Sequence, residues 1–361
     1  MRTISQLPSI QGKIVFLRAD FDVAVDPLGN VQEEFRIARQ RPMIEHLLKA
    51  GARIVIGSHI TGVSSFETIV KQLEHHLGLP LKLCKSFDEV GAFLTTTEPV
   101  ALLENLRLNA GEEANNEAFA GRIVEGCDYY INNAFAVCHR AHASIALAPL
   151  VIPSFAGLLV EEEVSRLQHI LTTPKEGKLI IMGGAKASTK VPVIQYLLDR
   201  SDHVAVGGVL ANDILKAQGR DIGTSRVDDD AVGLASALNV HDPRLVVPTD
   251  FVEHEGAILD MGPQSARVVA DLCKSASLIV WNGPLGIFEN PTYRHGTAII
   301  ARAIAESSAM SIVGGGDTVS SIRTCGFELS AFDFVSTGGG AMLAFLAGQR
   351  LAGLDVLGYR P

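Results

Sequence analysis

The chain has 361 residues, which at about 150 residues per domain allows two domains. Hydrophobic residues supply 47% of it and charged residues 20%, a composition that excludes a disordered chain. With 31 basic against 40 acidic side chains the net charge is −9, so bulk charge argues against nucleic-acid and anionic-membrane partners, and any site for an anionic ligand must be a local basic cluster.

At the N-terminus, MRTISQLPSIQGKIVFLRAD has no apolar run of signal-peptide length before charges return, which predicts a cytoplasmic protein. KIVFLR (13–18), RIVIGS (53–58), VALLE (100–104) and DYYIN (128–132) then predict buried strands. Residues 42–50 and 67–77, apolar at three- and four-residue spacing, predict helices between them. The uncharged stretch 143–160 reaches membrane-spanning length, but Pro149, Pro153, Ser144 and Ser154 make it a buried connector. LLVEEEVSRLQHILTTP (158–174) predicts one charged amphipathic helix closed by Pro174. Beyond it, KLIIMG (178–183), HVAVGG (203–208), RLVVP (244–248), SLIVW (277–281), MSIVGG (310–315) and FDFVST (332–337) predict further strands. This alternation predicts the α/β class: two doubly wound parallel-sheet domains joined by a hinge helix, with ligands at the carboxyl ends of the strands. Five scattered cysteines without a CxxC pair predict reduced thiols, not a disulfide framework or zinc site.

The two halves differ at the ends of their strands. In the second, the strand ends run into GGAK (183–186), GGVLAN (207–212), GGGDT (314–318) and STGGGA (336–341). Glycine lets backbone N–H groups approach a ligand closely, and a helix N-terminus placed directly after it adds partial positive charge. Four such turns on one sheet edge suit a polyphosphate, although neither a GxxxxGK[ST] loop nor a GxGxxG fingerprint is present. In the first half the strand ends carry Arg18, Asp20, His59, Arg107, His139, Arg140 and His142, and Arg36 opens a helix. Arginine forks clustered in an acidic protein predict an anion site for carboxylate and phosphate, with His59 the one histidine expected to touch ligand.

The chain resembles the phosphoglycerate kinase family nearly end to end. LRADFD (17–22), ENLR (104–107), AFAVCHRAHAS (134–144), GGAKASTK (183–190), WNGPLGIFE (281–289), GGGDT and STGGGA carry the likeness. The resemblance implies an N-terminal 3-phosphoglycerate domain (1–156, with 348–361 packing back on it), a linker helix (157–171) and a C-terminal nucleotide domain (172–347). It implies substrate contacts from Asp20, Phe21, Asp22, Arg36, His59, Gly62, Arg107 and Arg140. Nucleotide contacts fall to Lys186, Lys190, Asn282, Glu289, Gly315, Gly316, Asp317 and Thr318. Arg36 and Lys186 would be the catalytic pair. Asp317 would take Mg2+, and it also stands where it can cap a helix. Trp281, closing the apolar run SLIV, reads as core. The implied reaction is reversible phosphoryl transfer between 1,3-bisphosphoglycerate with ADP and 3-phosphoglycerate with ATP, in line and on domain closure, by a monomer. A same-fold kinase for another carboxylate and a catalytically idle nucleotide-binding scaffold are the alternatives.

Several positions depart from the family pattern: Asp22 stands for the usual Asn, SHITGV (58–63) replaces SHLGRP so that Gly62 replaces an arginine, the segment after it is short, and Ala344 replaces an acidic residue. Asp22 and Gly62 both make the glycerate side less positive, which predicts weak 3-phosphoglycerate binding unless Arg39 or Arg41 fills the place.

Overall fold

Short runs rich in Val, Ile and Leu build both sheets, because each strand is covered on two faces and needs no polar side. The computed structural model describes residues 1–228, 233 and 236–360. In the first half the strands are β1 (Ile14–Arg18), β2 (Arg53–Gly57), β3 (Lys82–Cys84), β4 (Val100–Leu103), β5 (Tyr129–Asn132) and β6 (Ser154–Ala156). They form one parallel sheet in the order β3-β4-β2-β1-β5-β6. Alternate residues separate onto two cores. Val15, Leu17, Ile54 and Ile56 join Met43, Leu47 and Leu73 on one face. Phe16, Val55 and Tyr130 join Phe93, Phe119 and Ile123 on the other.

Two of these strands escape the sequence reading. β3 and β6 are three-residue edge strands, too short to show a period, and β6 lies inside the uncharged connector. The rest of that connector is a π-helical turn (Ala143–Leu147) and a short helix (Ala148–Val151). The helix expected over 67–77 is a 3-10 turn, Phe66–Thr68, then a helix, Val70–Leu77, closed by Gly78 in the left-handed region.

The second half contributes β7 (Lys178–Met182), β8 (His203–Val206), β9 (Leu245–Val246), β10 (Phe251–His254), β11 (Ala257–Met261), β12 (Leu278–Asn282), β13 (Met310–Gly314) and β14 (Phe334–Ser336). The parallel sheet runs β14-β13-β12-β7-β8-β9, and β10 and β11 stand apart as an antiparallel hairpin. The apolar runs do not anticipate that hairpin. Its turn, Glu255-Gly256, takes two positive φ angles, the geometry that a two-residue hairpin loop requires.

The chain divides into two compact units, Met1–Ser165 with Arg350–Pro361, and Arg166–Gln349, so the division falls inside the helix Leu158–Thr172. Within the first unit, Arg2 N donates to Leu357 O at 2.7 Å and Gly353 N to Cys138 O at 2.9 Å. The strand order reverses beside β1 in the first sheet, between β1 and β5, and beside β7 in the second, between β7 and β12. Ligands of such sheets bind outside the strand carboxyl ends at these two points.

One buried charge network anchors the first unit. Arg18 and Glu112 are both buried, with Arg18 Nη2 and Glu112 Oε1 4.0 Å apart. Ser144 joins them: its N–H and hydroxyl donate to Glu112 at 2.9 and 2.5 Å, and its hydroxyl accepts from Arg18 Nε at 2.7 Å. Glu112→Ala leaves that guanidinium without its counter-charge and is expected to cost about 3–5 kcal/mol, read as a lower urea midpoint. Glu112→Gln, which keeps an acceptor, should lose less.

Candidate active site

The first candidate site lies beyond the carboxyl ends of β1, β2 and β4. Arg18 closes β1 but is spent internally: besides Ser144 it donates to Ala19 O at 2.6 Å and to His59 Nδ1 at 3.1 Å. Arg18 is therefore a frame residue and not one of the exposed forks of the anion cluster. His59 is also fully buried. Its Nδ1 accepts from Arg18, so the proton sits on Nε2, which faces Asp22 Oδ2 at 3.3 Å without hydrogen-bond alignment. Burial, helped by Arg18, holds the imidazole below its ordinary pKa against the pull of Asp22. Burial would raise the Asp22 carboxyl, but His59 and the Thr61 N–H, which donates at 2.8 Å, outweigh it and keep Asp22 well below the carboxylate range.

Around this frame stand the groups with spare capacity. Asp20 is fully buried; its Oδ1 accepts from Asp22 N at 3.2 Å, while Oδ2 has no hydrogen-bond partner and lies 3.9 Å from Arg36 Nε. Arg36 Nη1 donates to the Asp22 carbonyl at 2.7 Å. Arg107 Nη1 bonds the Thr61 hydroxyl at 2.9 Å, Nη2 is buried without a partner, and Nε only approaches Glu113, off line, at 3.4 Å. Burial and the neighbouring Arg140 lower the Arg107 pKa, so two positive charges share a small space. Phe21 is different: its ring is core, and its N–H is bonded to Ser58 Oγ.

The loop carrying Thr61 and Gly62 is pinned from below by two residues with no signal of their own beyond the ENLR motif. Glu104 accepts from Ser65 Oγ and Phe66 N, and Asn105 Nδ2 donates to the carbonyls of Ile60 and Val63. Gly62 has φ +80° with open space around it, so an arginine there would have room but a strained backbone. Arg39 pairs with Glu162, and Arg41 with Glu45 at 2.5 Å.

In the second unit the glycine turns touch one another. A Cβ on Gly183 would stand 2.1 Å from Pro284 O, and one on Gly283 2.1 Å from Gly183 O, so the loops after β7 and β12 fit only as glycine. Lys186 comes next with φ +65° at the start of the helix Ala187–Leu198. The first N–H of that helix, on Ala187, bonds Asp228 Oδ2 at 2.5 Å, and Asp228 N in turn bonds the buried Asp213. Burial pushes Asp213 up to about 6. No motif points to either aspartate. Lys190 is buried, donates to the Ala185 carbonyl, and has its pKa lowered by that burial while Asp317 pulls it back up.

Asn282 Nδ2 donates to Gly314 O at 2.7 Å and fixes the Gly315 turn. The Thr318 hydroxyl is likewise committed, accepting from Gly283 N at 2.7 Å and donating to Gly314 O at 2.8 Å. Gly315, not Asp317, caps the helix Gly316–Thr324, and Asp317 lies exposed in its first turn. Trp281 is core, as expected, with its indole N–H on Gly283 O. Beside these turns opens a cavity of about 520 Å³, walled by Phe251, Ile258, Leu285 and Phe288, with Asp317 and Glu289 on its lining.

Residues 4–349 match the family model described as phosphoglycerate kinase. The chain belongs to the phosphoglycerate kinase family. The curated phosphoglycerate kinase of Solibacter usitatus is 38% identical over 380 residues, covering 96% of this chain and 97% of that one. That of Rubrobacter xylanophilus is also 38% identical, covering 97% of each. Among solved structures, the phosphoglycerate kinase of Pyrococcus horikoshii matches with a TM-score of 0.89 at 28% identity, covering 99% of this chain and 98% of that one. The one from Coxiella burnetii matches with a TM-score of 0.81 at 33% identity and the same coverage.

The buried His59 gives a pH test in this family member. Its folded pKa lies below the unfolded value of about 6.5, so the folded state resists protonation and stability should fall as pH drops below that value. An NMR titration should place His59 below 6.5. Asp22→Asn, which removes the group that raises it, should move it lower still. A rise in the variant would show that Asp22 does not stabilise the imidazolium.

Proposed function

We propose that the protein is an active phosphoglycerate kinase of glycolysis, exchanging a phosphoryl group reversibly between 1,3-bisphosphoglycerate with ADP and 3-phosphoglycerate with ATP. The observation that carries this reading is that several buried polar atoms of the first candidate site lack hydrogen-bond partners, Arg107 Nη2, Asp20 Oδ2 and His59 Nε2 among them. Buried polar atoms are nearly always bonded, so the guanidinium awaits an anion and the carboxylate awaits a donor. 3-Phosphoglycerate offers both: a carboxylate and a phosphate for Arg36, Arg107 and Arg140, and a hydroxyl for Asp20. Asp22, with His59 behind it, and Gly62 form the rim of that site, and Phe21 contributes backbone beside it.

On the nucleotide side, Lys186 and Lys190 meet the phosphates with the N-terminal turn of Gly316–Thr324, which Gly315, Gly316 and Thr318 shape. Asn282 holds that turn, and Glu289 accepts from the ribose. Asp317 suits Mg2+ brought in with the nucleotide, because Mg2+ typically takes one or two protein carboxylates besides phosphate oxygens and water. The metal would neutralise phosphate charge. We assign the glycerate site to residues 1–156 with 348–361 and the nucleotide site to 172–347. By family resemblance we expect a cytoplasmic monomer; among the described residues no helix is long and apolar enough to cross a membrane.

In the ATP-consuming direction a carboxylate oxygen of 3-phosphoglycerate attacks the γ-phosphorus, forming the acyl-phosphate P–O bond as the β–γ bridging P–O bond breaks and ADP leaves. A carboxylate nucleophile carries no proton, so no general base is needed, and the burial of His59 is no obstacle. Direct transfer needs the reacting atoms about 3–3.5 Å apart, which is why the two units must close on their substrates. Arg36 and Lys186 then meet the charge that develops on the moving phosphoryl group.

A coupled assay with Mg-ATP and 3-phosphoglycerate should show saturable turnover. Arg36→Ala and Lys186→Ala should each lower kcat by about 10²–10³ with smaller changes in KM. If both keep kcat within about threefold while KM rises, the two groups hold ground-state substrate instead. Asp22→Asn should lower the KM for 3-phosphoglycerate by removing negative charge from the rim. A higher KM would mean that the carboxylate bonds the substrate.

A further inference from the structure

Lys186 is one of three residues other than glycine that stand at positive φ among the described residues, with φ +65° and ψ +60°. A side chain there costs free energy, so the conformation persists only where neighbouring groups fix it. The peptide groups on both sides are fixed. Lys190 Nζ donates to the Ala185 carbonyl, and the Lys186 carbonyl accepts from Thr189 N at 3.1 Å and Thr189 Oγ1 at 2.9 Å. These three bonds come from within the helix Ala187–Leu198. The fourth does not: Ala187 N donates to Asp228 Oδ2 at 2.5 Å, 41 residues along the chain.

Asp228 is placed in its turn from the helix Gly208–Ala217. Its N–H donates to Asp213 Oδ1 at 3.1 Å, and Asn212 Nδ2 donates to the Arg226 carbonyl at 3.0 Å. Two consecutive side chains of one helix thus hold the segment that carries Asp228. Asp213 is fully buried, and its Oδ2 has no hydrogen-bond partner. A carboxyl is a poor choice for a purely structural contact here, since a serine or threonine would accept the same N–H without burying a charge.

The charged groups that act on Asp213 are Asp228 and Lys216, three residues further along its own helix. Two other elements pack on that helix. The helix Ala187–Leu198 brings Lys190, whose charge acts on Asp228, and β11 brings Asp260, whose oxygens are taken by Gly296 N and Met261 N. Burial, with the Asp228 charge, pushes Asp213 up to about 6 against the opposing pull of the Asp228 N–H and Lys216. A carboxylate makes a hydrogen bond about twice as strong as a neutral acceptor does, so protonation weakens the hold on Asp228.

We propose that Asp213 is a positioning residue for phosphoryl transfer: its carboxylate, acting through Asp228 and Ala187, holds the left-handed backbone that aims Lys186, so mild acid loosens the lysine and slows turnover. The proposal rests on the kinase reading, in which Lys186 meets the transferring phosphoryl group.

The test compares the parent with Asp213→Asn, a neutral isostere of the protonated acid, at saturating Mg-ATP and 3-phosphoglycerate. In the parent kcat should fall as pH drops through about 6. At about pH 8 the variant should have kcat lowered about ten- to a hundredfold with little change in either KM, the size of loss that misplacing a reacting group causes. Its profile should lack the step near pH 6. Steps from the substrates' own ionisation are common to both proteins, so the difference between the two profiles is the readout. The urea midpoint of the variant should not fall, because it no longer buries a charge. A variant with kcat within about twofold of the parent, or with the same acid step, overturns the proposal. The Ala187 amide gives a readout independent of activity: its NMR shift should titrate near pH 6 in the parent and not in the variant. A parent amide that does not respond in that range also overturns the proposal. Absence of turnover in the parent would count against the kinase reading alone, and the Ala187 titration would then decide the role of Asp213.

Discussion

A guanidinium buried at the carboxyl end of β1 sets the geometry on which the first unit's chemistry depends. Arg18 binds the Ala19 carbonyl, the Ser144 hydroxyl and His59, with Glu112 as its counter-charge. Removing one partner of such a group leaves an uncompensated charge in low dielectric, so β1, the β2 terminus, and the 110–113 and 143–147 segments are held in one arrangement. The forks that remain available, Arg36, Arg107 and Arg140, stand on that frame. Their positive charge is concentrated in a chain whose net charge is −9. Local placement, rather than bulk charge, would make the proposed anion site.

In the proposed function the two units bind anions by different means, and each would suit its ligand. A small carboxylate and phosphate would be met by arginine side chains, whose planar forks match those groups. A polyphosphate would be met by backbone N–H groups and lysines at turns that glycine alone can form. At Gly183 and Gly283 the reason is contact: the two loops approach so closely that either Cβ would lie 2.1 Å from a carbonyl oxygen. Only one basic side chain, Arg226, lines the neighbouring cavity among the described residues.

The acceptor's chemistry explains what the site omits. A carboxylate attacks without giving up a proton, so the enzyme needs positioning and charge stabilisation rather than a general base. His59 faces Asp22, and Glu104 and Asn105 pin the loop that carries Thr61 and Gly62. Such supporting residues account for much of the architecture between the strand ends and the ligand groups.

The sequence by itself determined the α/β class, ten of the strands and the family. Long apolar runs such as KIVFLR and ordered motifs such as GGAKASTK specify local structure without reference to the rest of the chain. It also placed Trp281 in the core. Tertiary structure decided β3 and β6, three-residue edge strands too short to show a period, and the β10–β11 hairpin, whose strands are only partly buried. It decided which polar groups are spent and which are free. Arg18 and Arg107 look alike in sequence, yet one is saturated by Ser144, Ala19 and His59 while the other keeps a buried donor unanswered. Asp317 read as a possible cap and is the second residue of the helix Gly316–Thr324, which Gly315 caps. Hydrogen-bond saturation and desolvation depend on what approaches from other segments, 41 residues away for Arg18 and His59 and 126 for Arg18 and Ser144. No local pattern encodes those meetings.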